Sequence, residues 1–242
     1  VIYIVFYAYI IYSCINAKDK GNLLFNILIG VFLGGLAGLF EYLRICYDAA
    51  TKRLIIEGKP EETLKLLNKV EKADFIKAFT TSCQMMRMLA FIDLRDFDSF
   101  KTFSANLNSN DYDVEIIRKY CEMVAEGETG HKGKSNEAFK QLIKIRDMKD
   151  KKGRRKKGAY YLNWEVVNGQ HKNYENDYEG AFRYLKEVDE SNMNLRELMH
   201  YLLAKARAAK YCGEKEIYLA CKERLNKICQ NNEVMKAYCE TL

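Results

Sequence analysis

Residues 23 to 40, LLFNILIGVFLGGLAGLF, are eighteen consecutive uncharged residues, and no other stretch narrows the range of folds as much. Inside hydrocarbon the backbone has no water to bond, so a single run of this kind crosses only as a helix. Eighteen helical residues rise about 27 Å, close to the thickness of a bilayer's apolar layer. A second uncharged run, VIYIVFYAYIIYSCI, occupies residues 1 to 15, and the polar turn AKDKGN joins the two. The expectation is two N-terminal transmembrane helices forming a hairpin over residues 1–40. The first run is short and opens on Val1 rather than Met, so it is expected to be a span cut at its start. A cleaved signal fits less well, since no basic n-region or A-x-A site is present and a second apolar run follows.

Within the longer run Gly30, Gly34 and Gly38 recur at every fourth position. Small residues so spaced form a smooth stripe that lets another helix backbone approach. The neighbouring span is the simplest partner, and a second copy of the chain, giving a homodimer, is the alternative. Asn26 is expected to hydrogen-bond within the hairpin. Lys18 and Lys20 lie in the turn, whereas Arg44, Lys52 and Arg53 follow the longer run. Cytoplasmic flanks carry the excess of Lys and Arg, so an integral membrane protein with a cytoplasmic C-terminal part is expected. The eight cysteines form no C-x-x-C pair, which argues against a zinc site and for thiols in a reducing compartment.

The remainder reads as amphipathic helix after amphipathic helix. There is one proline, Pro60, and no long Val/Ile/Thr alternation, so the expected class is all-α. A spaced set repeats along it: Pro60, Thr63, Leu67 and Val70; Phe97, Phe100, Ser104 and Leu107; Ser135, Ala138, Leu142 and Ile145. Tyr178, Ala181, Leu185 and Val188 follow, then Tyr218, Cys221, Leu225 and Ile228. The second members stand 37, 38, 43 and 40 residues apart. Each set is preceded by another helical stretch, near 41–57, 74–94, 112–127, 155–172 and 195–212. The unit is therefore helix, turn, helix, repeated about five times.

This resembles the tetratricopeptide repeat (TPR) and its relatives over residues 41–230, with a capping helix at 231–242. The small packing residue of that family's second helix matches Ala138, Ala181 and Cys221; Thr63 is tolerable and Phe100 departs. The Trp-Leu-Gly signature is missing, and the gaps exceed the family's roughly 34 residues. The resemblance implies a TPR-like α-solenoid whose first helices make a concave face for a peptide or protein partner. By helical spacing that groove is expected at Tyr161, Glu165 and Asn168 and at Tyr201, Lys205 and Ala208. The function so implied is a membrane-anchored protein-protein interaction scaffold, without cofactor or metal.

Two features point elsewhere. GETGHKGKS, residues 127–135, approaches the P-loop G-x-x-x-x-G-K-[ST], but Glu128 stands where the first glycine belongs and IIRKYCEMVAE before it has a helical period. Gly127 or Gly130 is instead expected to end a first helix, and Ser135 to cap the second. Residues 144–158, KIRDMKDKKGRRKKG, hold nine basic and two acidic residues, a net of +7 in a chain of +6. The alternative function is anionic-lipid or nucleic-acid binding through this segment, with Lys151, Lys152, Arg154, Arg155, Lys156 and Lys157 as the anion-binding residues, or an uncharacterised enzyme. Lipid suits a membrane-anchored chain better, because the aromatics that follow, Tyr160, Tyr161 and Trp164, continue at core spacing. No catalytic constellation emerges, and His131, His171 and His200 fall on different hairpins.

Overall fold

The computed structural model describes residues 2–109, 111–149, 152, 153, 158 and 161–241. Among them are twelve α-helices and no strand. The chain divides into two compact units, Val1–Cys46 and Tyr47–Leu242.

The first unit holds α1 (Ile2–Ile15) and most of α2 (Lys20–Ile55). Asp19 opens α2 by accepting the Asn22 backbone N–H at 2.8 Å, as an N-cap does. α2 is the one described helix long and apolar enough to cross a membrane, with a mean hydropathy of 2.3 over its best window. Of the two expected spans, α2 has the length by itself; α1 has 14 residues, about 21 Å of rise, and does not reach it among the described residues. α2 continues past residue 40 to Ile55, so the helical stretch expected near 41–57 is the C-terminal part of the same helix. Two glycines of the stripe face α1. A Cβ on Gly30 would lie 2.9 Å from Ile10 Cγ2, and one on Gly34 would run into the Tyr7 ring. Gly38 has nothing within 4 Å of that position, so it takes no part in the contact. Asn26 donates its side-chain amide to the Ser13 carbonyl at 3.0 Å, within the hairpin as expected.

The second unit continues with α3 (Pro60–Ala73), α4 (Thr80–Asp93), α5 (Phe97–Ala105), α6 (Tyr112–Glu128) and α7 (Lys132–Arg146). Then come α8 (Trp164–Glu175), α9 (Tyr178–Lys186), α10 (Leu195–Cys212), α11 (Lys215–Ile228) and α12 (Glu233–Thr241). Local chemistry sets these bounds. Pro60 starts α3 with Glu61 and Glu62 in its first turn, where a missing N–H and negative charge are both favourable. Asp96, Asp111, Asn163 and Asp177 each accept first-turn backbone N–H groups. Asn194 and Glu197 close a reciprocal capping box at α10. Gly213, at φ +79, ends α10, a conformation glycine adopts without penalty.

Each helix packs on chain neighbours: α6 on α7, α8 on α9, α10 on α11, with α4 on α6 and α9 on α10 across hairpins. The second members of the repeated set, Thr63, Phe100, Ala138, Ala181 and Cys221, are all buried, as are the third members Leu67, Ser104, Leu142, Leu185 and Leu225. Burying one such leucine contributes about 1.5–3 kcal/mol. Two hydroxyls staple second helices to first: Thr63 Oγ1 donates to Ala50 O at 3.2 Å and Ser135 Oγ to Met123 O at 2.9 Å. Ser135 is therefore not the N-cap expected of it; α7 starts three residues earlier, after His131.

Two other expected boundaries move. The stretch expected as a helix from residue 74 begins at Thr80, because the buried Asp74 carboxylate accepts the Ala78 and Phe79 N–H groups and closes a turn. The helix expected from 155 begins at Trp164, behind its Asn163 cap.

Candidate functional site

α4, α6, α8 and α10 converge, and the space between them is filled by charge. Asp93, at the end of α4, is 2% exposed. Its carboxylate accepts Arg196 Nε at 2.8 Å and Nη2 at 2.9 Å, a bidentate pair, and His200 Nε2 at 2.8 Å. Arg196 and His200 are four apart on α10 and so share a face. The Asp93 backbone carbonyl accepts the Asn232 amide at 3.0 Å, tying the turn before α12 to the same point. Burial opposes ionisation of Asp93, but the Arg196 guanidinium and the His200 ring hold its carboxyl below the usual range. Three donors occupy this carboxylate, so it braces helices more than 100 residues apart in sequence.

A second cluster lies further along the same helices. Glu128, at the end of α6, accepts Arg95 Nη2 and Arg207 Nη2 at 3.0 Å and the Tyr238 hydroxyl at 2.8 Å. The Arg95 guanidinium lies 3.6 Å above the Tyr238 ring centroid. Burial alone would raise the Glu128 carboxyl; Arg207 and Arg95 reverse that and bring it to about 2. The same burial, with Glu128 beside it, pushes the Tyr238 phenol up to about 12. Between the clusters is a cavity of about 30 Å³. Gln170 Oε1 and Asn173 Oδ1, which have no protein donor, belong to side chains lining it.

Beside the Asp93 brace opens a cleft of about 110 Å³. Ile55 of α2, Leu89 of α4, Ile117 of α6, Val166 of α8 and Arg196 of α10 each contribute to its wall. Tyr161, Leu162 and Met193 border it from the segments that lead into α8 and α10. It combines an apolar wall with the polar ends of two capped helices, since Asn163 and Asn194 also line it.

Of the residues expected in the groove, only Tyr161 lines this cleft. It precedes α8 rather than lying on it, and its hydroxyl donates to Asp113 Oδ2 at 2.9 Å. Glu165 is exposed and Asn168 half-buried, neither on the cleft wall. Tyr201 and Ala208 are corrected outright. They are 1% and 0% exposed, packed in the core, and Tyr201 donates to Leu185 O at 3.1 Å. Lys205 is spent on the Tyr201 hydroxyl at 2.7 Å. The residues missed are Leu89, Ile117, Gln170, Arg196 and His200. The spacing of Arg196 and His200 was a usable signal, a cation and an imidazole four apart and so on one face of α10.

Of the basic segment, Lys151, Arg154, Arg155, Lys156 and Lys157 lie outside the described residues, as does Tyr160; Lys152 is within them and exposed. The glycine stretch holds no phosphate cradle. α6 runs through Gly127, where a Cβ would come 2.7 Å from Tyr174 Cδ1, and the turn falls at Gly130, φ +79. All eight cysteines are free thiols, five of them buried. His171 stacks on Phe139 with ring centroids 3.8 Å apart. Among the described residues no three His, Cys, Asp or Glu side chains gather as a metal would require. No family model, curated protein or solved structure matches this chain.

Proposed function

We propose that the chain is a membrane-tethered adaptor whose second unit is a tetratricopeptide-like stack of helical hairpins, and that it holds a partner protein by the cleft beside Asp93. The observation that carries the reading is the cleft wall: five successive first helices, α2, α4, α6, α8 and α10, each supply at least one residue to it. Stacked two-helix units present such a shared face, because each unit buries its own apolar side against its neighbours. The buried second and third members of the repeated set and the two hydroxyl staples support equivalent hairpins. α2 supplies the tether, by its length and composition.

The cleft is small because the Asp93–Arg196 and Glu128–Arg207 clusters fill what would be the inner channel. An apolar cavity of roughly 150 Å³ takes a benzene ring, so 110 Å³ suits one apolar side chain of a partner segment rather than a whole helix. The Asn163 and Asn194 oxygens cap α8 and α10, which leaves their side-chain N–H groups to suit the backbone on either side of that side chain.

Site-specific photo-crosslinking in membranes tests this. A benzophenone amino acid at Leu162 or Met193, on the cleft border, is expected to capture a discrete protein. The same probe at Tyr184, 45% exposed on α9, is expected to capture none of it. Identical products from all three positions would remove the cleft from the reading.

A further inference from the structure

We propose that the loop between α3 and α4 is a second membrane contact, seating Phe75 and Ile76 in the interfacial layer of an anionic bilayer. The proposal rests on reading α2 as a membrane helix and adds a site that α2 does not include.

Phe75 is 70% exposed and Ile76 47%, two adjacent apolar side chains held out in water. The loop that carries them is built, not slack. Asp74 is buried, and its two carboxylate oxygens accept the N–H groups of Ala78 at 2.9 Å and Phe79 at 2.7 Å. Its own N–H donates to Val70 O at 2.8 Å, and its carbonyl accepts the Lys77 N–H at 3.1 Å. Lys77 takes φ +60, an uncommon conformation for a side chain that long. A loop fixed this firmly keeps the apolar pair presented rather than letting it fold back.

Charge names the occupant. Lys65, Lys69 and Lys72 stand at spacings of four and three on the exposed side of α3, and Lys77 follows the apolar pair. All four are exposed, and none has a carboxylate partner among the described residues. The neighbouring acids are already engaged: Glu71 pairs with Arg87 at 2.8 Å, and Asp74 serves the backbone. Aromatic and aliphatic side chains ringed by lysines are the pattern of segments that lie in a headgroup layer. Tyr47, where this unit begins, meets the ring of Phe79 at 5.6 Å. The loop thus packs on the residue with which its own unit begins.

The test places a fluorophore in the loop of the full chain. Trp164, the one tryptophan, is replaced by Phe, and Phe75 by Trp. The protein is reconstituted into phosphatidylcholine vesicles with and without phosphatidylserine, using acyl chains that carry or lack bromine. The F75W probe is expected to emit at shorter wavelength in serine-lipid vesicles. It should lose roughly twofold in intensity to bromine, as a seat ~5–10 Å below the headgroups requires. A control probe at Leu219→Trp should show neither change, and K69S/K72S/K77S should remove the dependence on serine lipid. Flotation after alkaline carbonate reads α2 separately. A chain that fails to float overturns the anchor and this proposal together. A chain that floats with an F75W probe unquenched beyond the control overturns this proposal alone. A blue shift that follows the protein-to-lipid ratio and ignores bromine assigns the loop to a second copy of the chain and equally overturns it.

Discussion

Val31 in α2 is 69% exposed and Val70 in α3 is fully buried. The two residues are chemically identical, and the two units treat them oppositely. In Val1–Cys46 the large apolar side chains point outward: Ile15, Leu24, Phe25 and Phe32 are all more than half exposed. In Tyr47–Leu242 the leucines and valines at repeated positions point inward. Polar groups invert as well. The second unit pays for helix packing with buried, fully bonded charge at Asp93 and Glu128, whereas the apolar stretch of the first carries a single polar side chain, Asn26. On the proposed reading of α2 as the tether, the difference is one of solvent: water drives apolar surface inward, and hydrocarbon does not.

Breaking the second unit takes one cation. Replacing Arg196 by Met leaves the Asp93 carboxylate buried with only His200 beside it, and removing one partner of a buried pair costs about 3–5 kcal/mol. Denaturant midpoints of the full chain in detergent should fall accordingly. Asp93→Asn combined with Arg196→Met should recover much of the loss, because no uncompensated charge then remains. An R196M chain as stable as the original would show that the cluster braces nothing.

Breaking the first unit takes the opposite change. Leu28 is 58% exposed and sits inside the uncharged run. Arginine at the centre of a membrane helix costs about 2.5–3.5 kcal/mol on insertion. Leu28→Arg should therefore lower the fraction inserted in a glycosylation-reporter assay while leaving the second unit's denaturation unchanged. A glycosylation readout that L28R leaves unchanged would show that residue 28 does not lie in hydrocarbon.

Acid discriminates the units further, since the described buried carboxylates of Asp93 and Glu128 belong to the second. The folded Glu128 carboxyl sits at about 2 against an ordinary 4.5. Its stabilising contribution is complete above about 4.5 and fades as pH falls toward 2. At about 1.4 kcal/mol per pH unit, that amounts to on the order of 3 kcal/mol. Asp93, also held low, loses stability in the same direction. Melting temperature should fall between pH 4.5 and 2, and Glu128→Gln should flatten part of that decline. A profile unchanged by E128Q would place the acid sensitivity elsewhere.

The sequence reveals these units unevenly. Helices with strong periodicity and good caps are legible almost to the residue: α6 and α10 fall where spacing puts them, and the inward positions of all five second helices follow from one repeated pattern. Boundaries set by side chains that bond backbone N–H groups ahead of them are not. Asp74 and Asn163 each stop a helix that periodicity alone would extend. The cleft was misplaced for a different reason. A first helix lies between neighbours on two sides, so α10 buries residues nearly all round, among them Met199, Tyr201, Leu202, Ala204 and Ala208. A period of 3.6 cannot then say which face looks inward. Contacts such as Asp93 with Arg196 join residues 103 apart, and helical spacing carries no information about them.

One small device occurs in both units and offers the finest comparison. Asn26 reaches the Ser13 carbonyl, Thr63 the Ala50 carbonyl and Ser135 the Met123 carbonyl, each across one turn onto the preceding helix and 12 or 13 residues back. Thr63 and Ser135 both sit at the fourth position of their helices. In the water-facing unit the donor's loss should cost about 1 kcal/mol, the net value of an ordinary buried hydrogen bond. Thr63→Val and Ser135→Ala should therefore shift denaturation midpoints by similar small amounts. In hydrocarbon the unfolded alternative also finds partners, so such bonds average about 0.6 kcal/mol. Asn26→Leu should cost no more than that, and its gain in apolarity should improve insertion. If N26L destabilises the hairpin by several times the T63V effect, Asn26 does more than staple α1 to α2. If T63V and S135A differ widely from each other, the hairpins they join are not equivalent units, and the stack proposed for Tyr47–Leu242 loses its regularity.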